Sequence, residues 1–452
     1  MRSGARRELA GWGRTAPSAS DVWTPVTPEE AVSALDDAPA RGVVARGLGR
    51  SYGDAAQNAG GAVLDATAFG GVHAFDPETG LLTVAAGTSL DDLMRWFVPR
   101  GWFVPVTPGT RHVTVGGAVA SDIHGKNHHR AGTWCAHVRQ LRLATPADGP
   151  VTVTPDHDAD LFWATAGGMG LTGVVLDATV QLTPISTSRA LVDTDRTDTL
   201  VDCMDLLAAG DEHYEYTVAW VDLLPLRGQV GRSVITRGRF AEVDELPPSD
   251  RRQPLTFAPQ ALATVPPVVP PGLLNRWRIQ AFNEAWWRKA PRQRRNEIQT
   301  ISRFFHPLDG VVDWNRLYGP RGFLQWQIVV PFGAEDVLRA VADAFVAARV
   351  PTLIGVLKRF GAANPGPLSF PLPGWTLSLD IPAGIDGLGP LLDRLDAQVV
   401  EAGGRIYLAK DSRTRPELLP AMYPRLEEWR AVRRRVDPAG VLQSDLARRL
   451  GL

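Results

Sequence analysis

Only four of the 48 basic residues in this 452-residue chain are lysine: Lys126, Lys289, Lys358 and Lys410. A desolvated ammonium can release its proton, whereas a guanidinium cannot. In a chain so biased to arginine, each lysine is a candidate for a place where arginine fails, as a proton acceptor or a compact point charge. Glycine carries a second kind of chemistry. Pro108 to His129 reads P-G-T-R-H-V-T-V-G-G-A-V-A-S-D-I-H-G-K-N-H-H. Gly116 and Gly117, followed by small residues, let a flat or anionic ligand approach the backbone. A helix opening there would offer its first N–H groups to a phosphate. Val43 to Asn58 carries Gly47, Gly49 and Gly53, with Arg50, Ser51 and Tyr52 between the last two. Its spacing is one residue off the dinucleotide fingerprint, and Asp54 to Gly61 has no 3.6-residue apolar period, so a Rossmann fold is rejected. Successive N–H groups of such a loop can instead hold pyrophosphate as a nest. Gln325 and Gln327, two apart, share one face of a strand, where their amides offer paired donors and acceptors to a polar ligand or simply face solvent. His124 lies near His128 and His129, but no carboxylate or Cys pattern completes a metal site.

Short strands must position these groups. Val43-Val44, Gly61 to Asp65, Val72 to Phe75, Leu81 to Ala86, Val138 to Ala144 and Val151 to Thr154 read as strands between turn residues. A run after Gly167 to Val175 continues as a strand to Leu182. Ser89 with Asp92 caps a helix whose Leu90, Leu93, Met94 and Phe97 share a face. Trp12, Trp23 and Val26 are expected to anchor the entry segment, with a short helix from Pro28. Further on, Tyr216 to Val221, Ser233 to Thr236, Leu324 to Pro331, Pro351 to Lys358 and Thr376 to Asp380 read as strands. Val337 to Ala348 and Leu391 to Glu401 read as helices. The pattern is α+β, ending in an antiparallel sheet flanked by helices. A net charge of −1 gives no general attraction to nucleic acid. Two cysteines cannot build a disulfide framework. No signal-peptide core and no apolar run of about 18 residues is present. The expectation is a cytoplasmic protein, or one peripheral at the plasma membrane.

The order of motifs carries a resemblance. G-R-S-Y-G-D (49–54), then P-G-T-R-H-V-T-V-G-G-A, then H-G-K-N, then G-G-M-G-L-T-G (167–173), resembles the FAD-binding domain of the vanillyl-alcohol-oxidase type. H-G-K-N-H-H is joined by F-H-P-L-D (305–309), G-F-L-Q-W-Q (322–327), P-L-S-F-P-L-P-G-W (367–375), Y-L-A-K-D-S-R (407–413) and M-Y-P-R-L-E-E-W (422–429). Together they resemble the flavin-dependent oxidase subunits of decaprenylphosphoryl-β-D-ribose 2′-epimerase. The resemblance spans essentially the whole chain. It implies an FAD-binding domain over 1–187, a substrate domain over 188–403 and a return to the FAD domain over 404–452. It implies cofactor contacts from Arg46, Gly47, Leu48, Gly49, Arg50, Ser51, Tyr52, Gly53 and Asp54. Gly109, Thr110, Thr114, Val115, Gly116 and Gly117 follow, then Ser121, Asp122, Ile123, His124, Gly125, Val175 and Tyr407. Lys410, Tyr52 and His124 are the expected catalytic groups. Lys358, Gln325, Gln327, Thr376, Ser378 and Lys126 are expected to meet substrate, with Trp220 and Phe305 as an aromatic wall. Thr376, Ser378 and Asp380 share a strand face. Mycobacterial members carry Cys where this chain has Ser378.

The same resemblance implies the reaction. FAD would oxidise the C2′ hydroxyl of a polyprenylphosphoryl-β-D-ribose to the 2′-keto sugar. This is the first half of epimerisation to the arabinose donor for cell-wall arabinan, and an NAD(P)H-dependent keto-reductase subunit would complete it. Relatives with covalent flavin carry His beside Arg in the first glycine loop. Here Ser51 follows Arg50, so noncovalent FAD is expected. The segment from Asp244 to Arg295 is Pro-rich and ends in Arg288, Lys289, Arg292, Arg294 and Arg295. Its composition predicts a mobile excursion, suited to a lipid tail with a phosphate head or to a membrane surface, or else an ordinary flexible lid with a solvated charge run. An aldonolactone or alditol oxidase using O₂ is the alternative, and a flavin-binding sensor the non-enzymatic one.

Overall fold

Apolar runs bounded by turn residues pair into three larger sheets in the computed structural model, which describes residues 4–226, 229–270 and 272–452. The first three residues of the chain and Pro271 of the Pro-rich segment lie outside that description. The first sheet has the order Ala5–Leu9, Ser18–Trp23, Ala62–Asp65, Val43–Arg46. Its last two pairings are parallel. The second is a five-stranded antiparallel sheet, Val72–Phe75, Leu81–Ala85, Val174–Gln181, Val138–Thr145, Gly149–Val153. Ser89 accepts from Asp92 N in a full capping box, so the Leu90–Phe97 helix starts where the sequence places it. That helix buries Leu90, Leu93, Met94 and Phe97 in a core shared with Leu82, Val84, Leu141 and Val180.

The third sheet has eight strands, all paired antiparallel. The order is Gln293–Thr300, Arg189–Thr197, Arg232–Phe240, Tyr216–Asp222, Gly355–Phe360, Gly374–Pro382, Phe323–Pro331, Arg405–Ile406. Side chains alternate across it. Leu357, Leu377, Leu379 and Ile328 pack under the Glu335–Ala347 and Leu388–Glu401 helices, through Leu338, Val341, Phe345, Leu391 and Leu395. The other face is apolar toward Ala190, Val192 and Tyr216, which join the first core, and polar at Gln325, Gln327, Lys358, Thr376, Ser378 and Asp380. The carboxy-terminal segment packs back on the first sheet: Val43 N donates to Val441 O, and Gln443 N to Val43 O.

Three expectations need correction. Val26 does not anchor the entry segment. It is half exposed and lends its N–H to Glu30, just ahead of the Pro28–Asp36 helix. The strand expected from Pro351 begins only at Gly355: Pro351 has no N–H for a ladder, and Thr352 O accepts from Asn283 Nδ2 instead of a neighbouring strand. The 244–295 segment is not irregular throughout. Arg276–Lys289 is a helix capped by Asn275, and Gln293–Thr300 is a sheet-edge strand. The helix buries polar Gln280 and Asn283 beside Ile279, so its inward face carries little apolar period. The strand is mostly polar, with Arg294, Arg295 and Glu297 charged, as suits a strand paired along only one edge.

Candidate active site

A cavity of about 290 Å³ lies between the glycine loops of the first two sheets and the polar part of one face of the third. Arg46, Gly47, Leu48, Gly49, Arg50, Ser51 and Tyr52 line one side. Gly109, Thr110, Thr114, Gly116 and Gly117 continue it, with Ser121, Ile123, His124 and Val175. Gly109 and Gly170 have nothing within 4 Å of where a Cβ would stand, so the wall there is bare backbone. Gly170 also has φ +76°, which an L side chain resists. The N–H groups of Leu48, Gly49, Arg50 and Ser51 meet no backbone acceptor among the described residues. Beside them the Arg50 guanidinium lies 3.9 Å over the Trp12 ring, and its buried Nε has no partner among the described residues. Unspent donors beside a cation suit a pyrophosphate, and bare backbone suits a flat ring.

The Val115–Ala120 helix does not supply the phosphate contact expected of it. Val115 N donates to Thr88 O, Gly116 N to Ala86 O, and Gly117 N to the Thr114 hydroxyl. Its first turn is spent on packing. A Cβ on Gly116 would sit 3.0 Å from that of Ala86, so this glycine serves close approach of helix to strand.

The opposite wall follows from strand register. Gly374–Pro382 runs between its two neighbours, so Gln327 pairs with Ser378, Ser378 with Val356, Gln325 with Asp380, and Lys358 with Thr376. Paired residues point to one face. Gln325, Gln327, Val356, Lys358, Ser378 and Asp380 accordingly all line the cavity. Tyr407 and Lys410 join them from the chain after the last strand. Gln327 Nε2 is 3.0 Å from His124 Nε2 and 3.1 Å from Thr376 Oγ1, and Thr376 donates to Ile328 O. An amide donor facing His124 Nε2 leaves the ring proton on Nδ1. That Nδ1 is buried without a partner among the described residues. Burial and the nearby Lys358 ammonium hold the His124 pKa well below the ordinary imidazole value. His124 thus offers a neutral N–H.

Lys410 lies at the end of this row, its Nζ 3.9 Å over the Tyr52 ring. Burial lowers its pKa to about 7 against the opposing pull of Asp380. Burial lowers that of Lys358 to about 8. Asp380 is 1% exposed and burial raises its pKa to about 7. Gln325 Nε2 donates to Asp380 Oδ1 at 2.5 Å, while Oδ2 has no partner among the described residues. Asp380 was not among the expected site residues. Its parity with Ser378 was the available signal. Trp12, Trp314, Ile354 and Met169 also line the cavity and had no local signal.

Several expected residues lie elsewhere. Gly53 packs against Asp411, whose carbonyl oxygen would lie 1.9 Å from an added Cβ. Asp54 forms a two-pronged ion pair with Arg449 at 2.8 and 2.9 Å, tying the carboxy-terminal helix to the first loop. Val115 is core. Asp122 is fully buried and accepts from Cys135 N, Asn364 and Ser369. Gly125 sits against the Thr107 backbone. Phe305 is not a cavity wall, because it packs with Phe103, Tyr216 and Phe240. Trp220 pairs with Val356 one strand outside the lining, and Thr376 reaches the cavity only through Gln327. Lys126 lies apart from the lining, with Nζ donating to Phe304 O and 4.3 Å over the Phe304 ring.

Known proteins place this arrangement. The sequence profile described as FAD binding domain matches residues 19–154. A relative from Mycolicibacterium smegmatis, decaprenylphosphoryl-beta-D-ribose oxidase, is 46% identical over 99% of this chain and 98% of its own length. The chain belongs to the decaprenylphosphoryl-β-D-ribose oxidase family. As a member of that oxidase family it is an FAD-dependent oxidoreductase. An uncharacterized protein of Streptomyces coelicolor is 45% identical over 80% of this chain and all of its own length. Cytokinin dehydrogenase 7 of Oryza sativa is 29% identical over 40% of this chain and 37% of its own. The profile described as D-arabinono-1,4-lactone oxidase matches residues 391–450 of this oxidase-family chain.

Proposed function

We propose that this chain oxidises the C2′ hydroxyl of a polyprenylphosphoryl-β-D-ribose to the 2′-keto sugar, the first half of epimerisation to the arabinose donor of cell-wall arabinan. The supporting observation is the row of Gln325, Gln327, Lys358, Ser378 and Asp380 across the cavity from the glycine loops, with Lys410 at its end. Bound FAD supplies the acceptor for the hydride leaving the carbon. The chain's own residues do the rest. The Leu48–Ser51 backbone and Arg50 hold the pyrophosphate. Gln325 and Ser378 read hydroxyls, and His124 Nδ1–H donates to the ligand. Neutral Lys410 takes the hydroxyl proton. Lys358 meets a ring oxygen or the phosphate. Residues 1–187 and 404–452 form the cofactor unit and 188–403 the substrate unit. A separate NAD(P)H-dependent keto-reductase reduces the product.

The test is anaerobic flavin bleaching. A short-chain prenylphosphoryl-ribose should bleach the flavin, and free aldonolactones should not. The match over residues 391–450 favours one rival, an aldonolactone oxidase, and the reverse result would establish it.

Noncovalent flavin is the second expectation, motivated by Ser51. Acid precipitation should release all yellow colour into the supernatant. Colour retained in the pellet would refute it.

A further inference from the structure

Large apolar side chains are mostly buried, but one stretch leaves several outside. Leu262 and Val268 are 86% and 85% exposed, Trp277 64%, Phe282 50% and Trp286 45%. The Arg276–Lys289 helix is held by its opposite side. Ile279 is buried, Gln280 Nε2 donates to Leu224 O, and Asn283 Nδ2 donates to Asp222 Oδ1 and Thr352 O. Those bonds fix its rotation, so Trp277, Phe282 and Trp286 are held in solvent. Phe282 and Trp286 stack on each other with centroids 6.2 Å apart.

Basic residues predominate at the surface on this side. Arg278, Arg288, Lys289, Arg292, Arg294 and Arg295 are exposed. Among the described residues from 272 to 300 no carboxylate is exposed: Glu284 pairs with Arg232 and Arg288, and Glu297 with Arg294 and Arg303. Arg295 pairs with Asp193 and Asp195, while Arg278, Lys289 and Arg292 form no ion pair among the described residues. Rings interleaved with cations, on a face whose acids are already paired, match the interface of an anionic bilayer. A second copy of the chain would set these cations against each other. Position adds to the argument. Leu274, one residue before the helix cap, packs on the cluster of Trp314, Tyr318 and Phe323, and Trp314 lines the cavity.

We propose that Trp277, Phe282 and Trp286, with the flanking cations, dock this protein on an anionic phospholipid bilayer. Docking rests on the prenyl-sugar reading for its purpose: the prenyl chain stays in the bilayer while the sugar phosphate enters the adjoining cavity.

The test needs no substrate. Full-length flavin-loaded protein is sedimented with phosphatidylcholine vesicles, with or without phosphatidylglycerol. It should bind the mixed vesicles and not the neutral ones. Trp277→Ser combined with Trp286→Ser should weaken binding about tenfold or more. Lys289→Gln with Arg292→Gln should cost about fivefold for each cation removed. Both double variants should keep the native flavin spectrum. Absence of binding to either vesicle, or equal binding by the tryptophan variant, would overturn the proposal. So would a dimer in ultracentrifugation that the tryptophan variant dissolves, because a second copy would then own this face. A prenylphosphoryl-ribose that fails to bleach the flavin would sink the proposed reaction and leave the vesicle result standing.

Discussion

Replacing Lys410 with alanine should slow flavin reduction by roughly 100-fold while leaving the bound-flavin spectrum intact, the scale of a lost proton acceptor or charge partner. Lys410 reaches the cavity by its side chain, over the Tyr52 ring, whereas the unspent donors of Leu48 to Ser51 belong to the backbone and are left unchanged by the substitution. The pH profile follows from the same burial. Lys410 is lowered to about 7, so its neutral, proton-accepting form grows as pH rises through that value. Anaerobic stopped-flow reduction should therefore accelerate with rising pH through about 7 and level off above it. In the Lys410→Ala protein that limb should vanish. Reduction at the native rate, or an unchanged pH limb, would rule out Lys410 as the base.

Asp380→Asn should raise the substrate KM about tenfold and move the same pH limb to lower values. The first effect comes from Oδ2, a buried carboxylate oxygen without a partner among the described residues, which a sugar hydroxyl can satisfy. A hydrogen bond to an ionised group is worth about 1.5–3 kcal/mol, and a neutral amide keeps part of it. The second effect is electrostatic. The Asp380 carboxylate pulls the Lys410 pKa upward, so removing that charge lets burial push it further down. A purely structural Asp380 would change stability but not the position of the limb. An unmoved limb with unchanged KM would dismiss both roles.

Legibility in the sequence differed by kind of information. Local order was readable. The Ser89 capping box, the alternation in Thr376-Leu377-Ser378-Leu379-Asp380 and the spacing of Gln325 and Gln327 depend on neighbours within a few residues. They survive folding because they are local bonds and strand parity. The glycine loops and the conspicuous lysines were also visible, and two of those lysines, Lys358 and Lys410, meet in one cavity.

Tertiary structure decided the rest. Strand parity says which residues share a face, but not which face meets the cavity. That was settled by the helices Glu335–Ala347 and Leu388–Glu401, which claim Leu377 and Leu379 and leave Ser378 and Asp380 opposite the glycine loops. Register between strands tens of residues apart then set Gln327 beside His124 and Gln325 beside Asp380. The backbone donors of Val115 to Gly117 looked free in sequence and are consumed by Thr88, Ala86 and Thr114. Asp54 and Phe305, each inside a telling motif, were claimed by Arg449 and by an aromatic core. A motif names the atoms on offer, and only the packed chain determines which of them its own groups have already used.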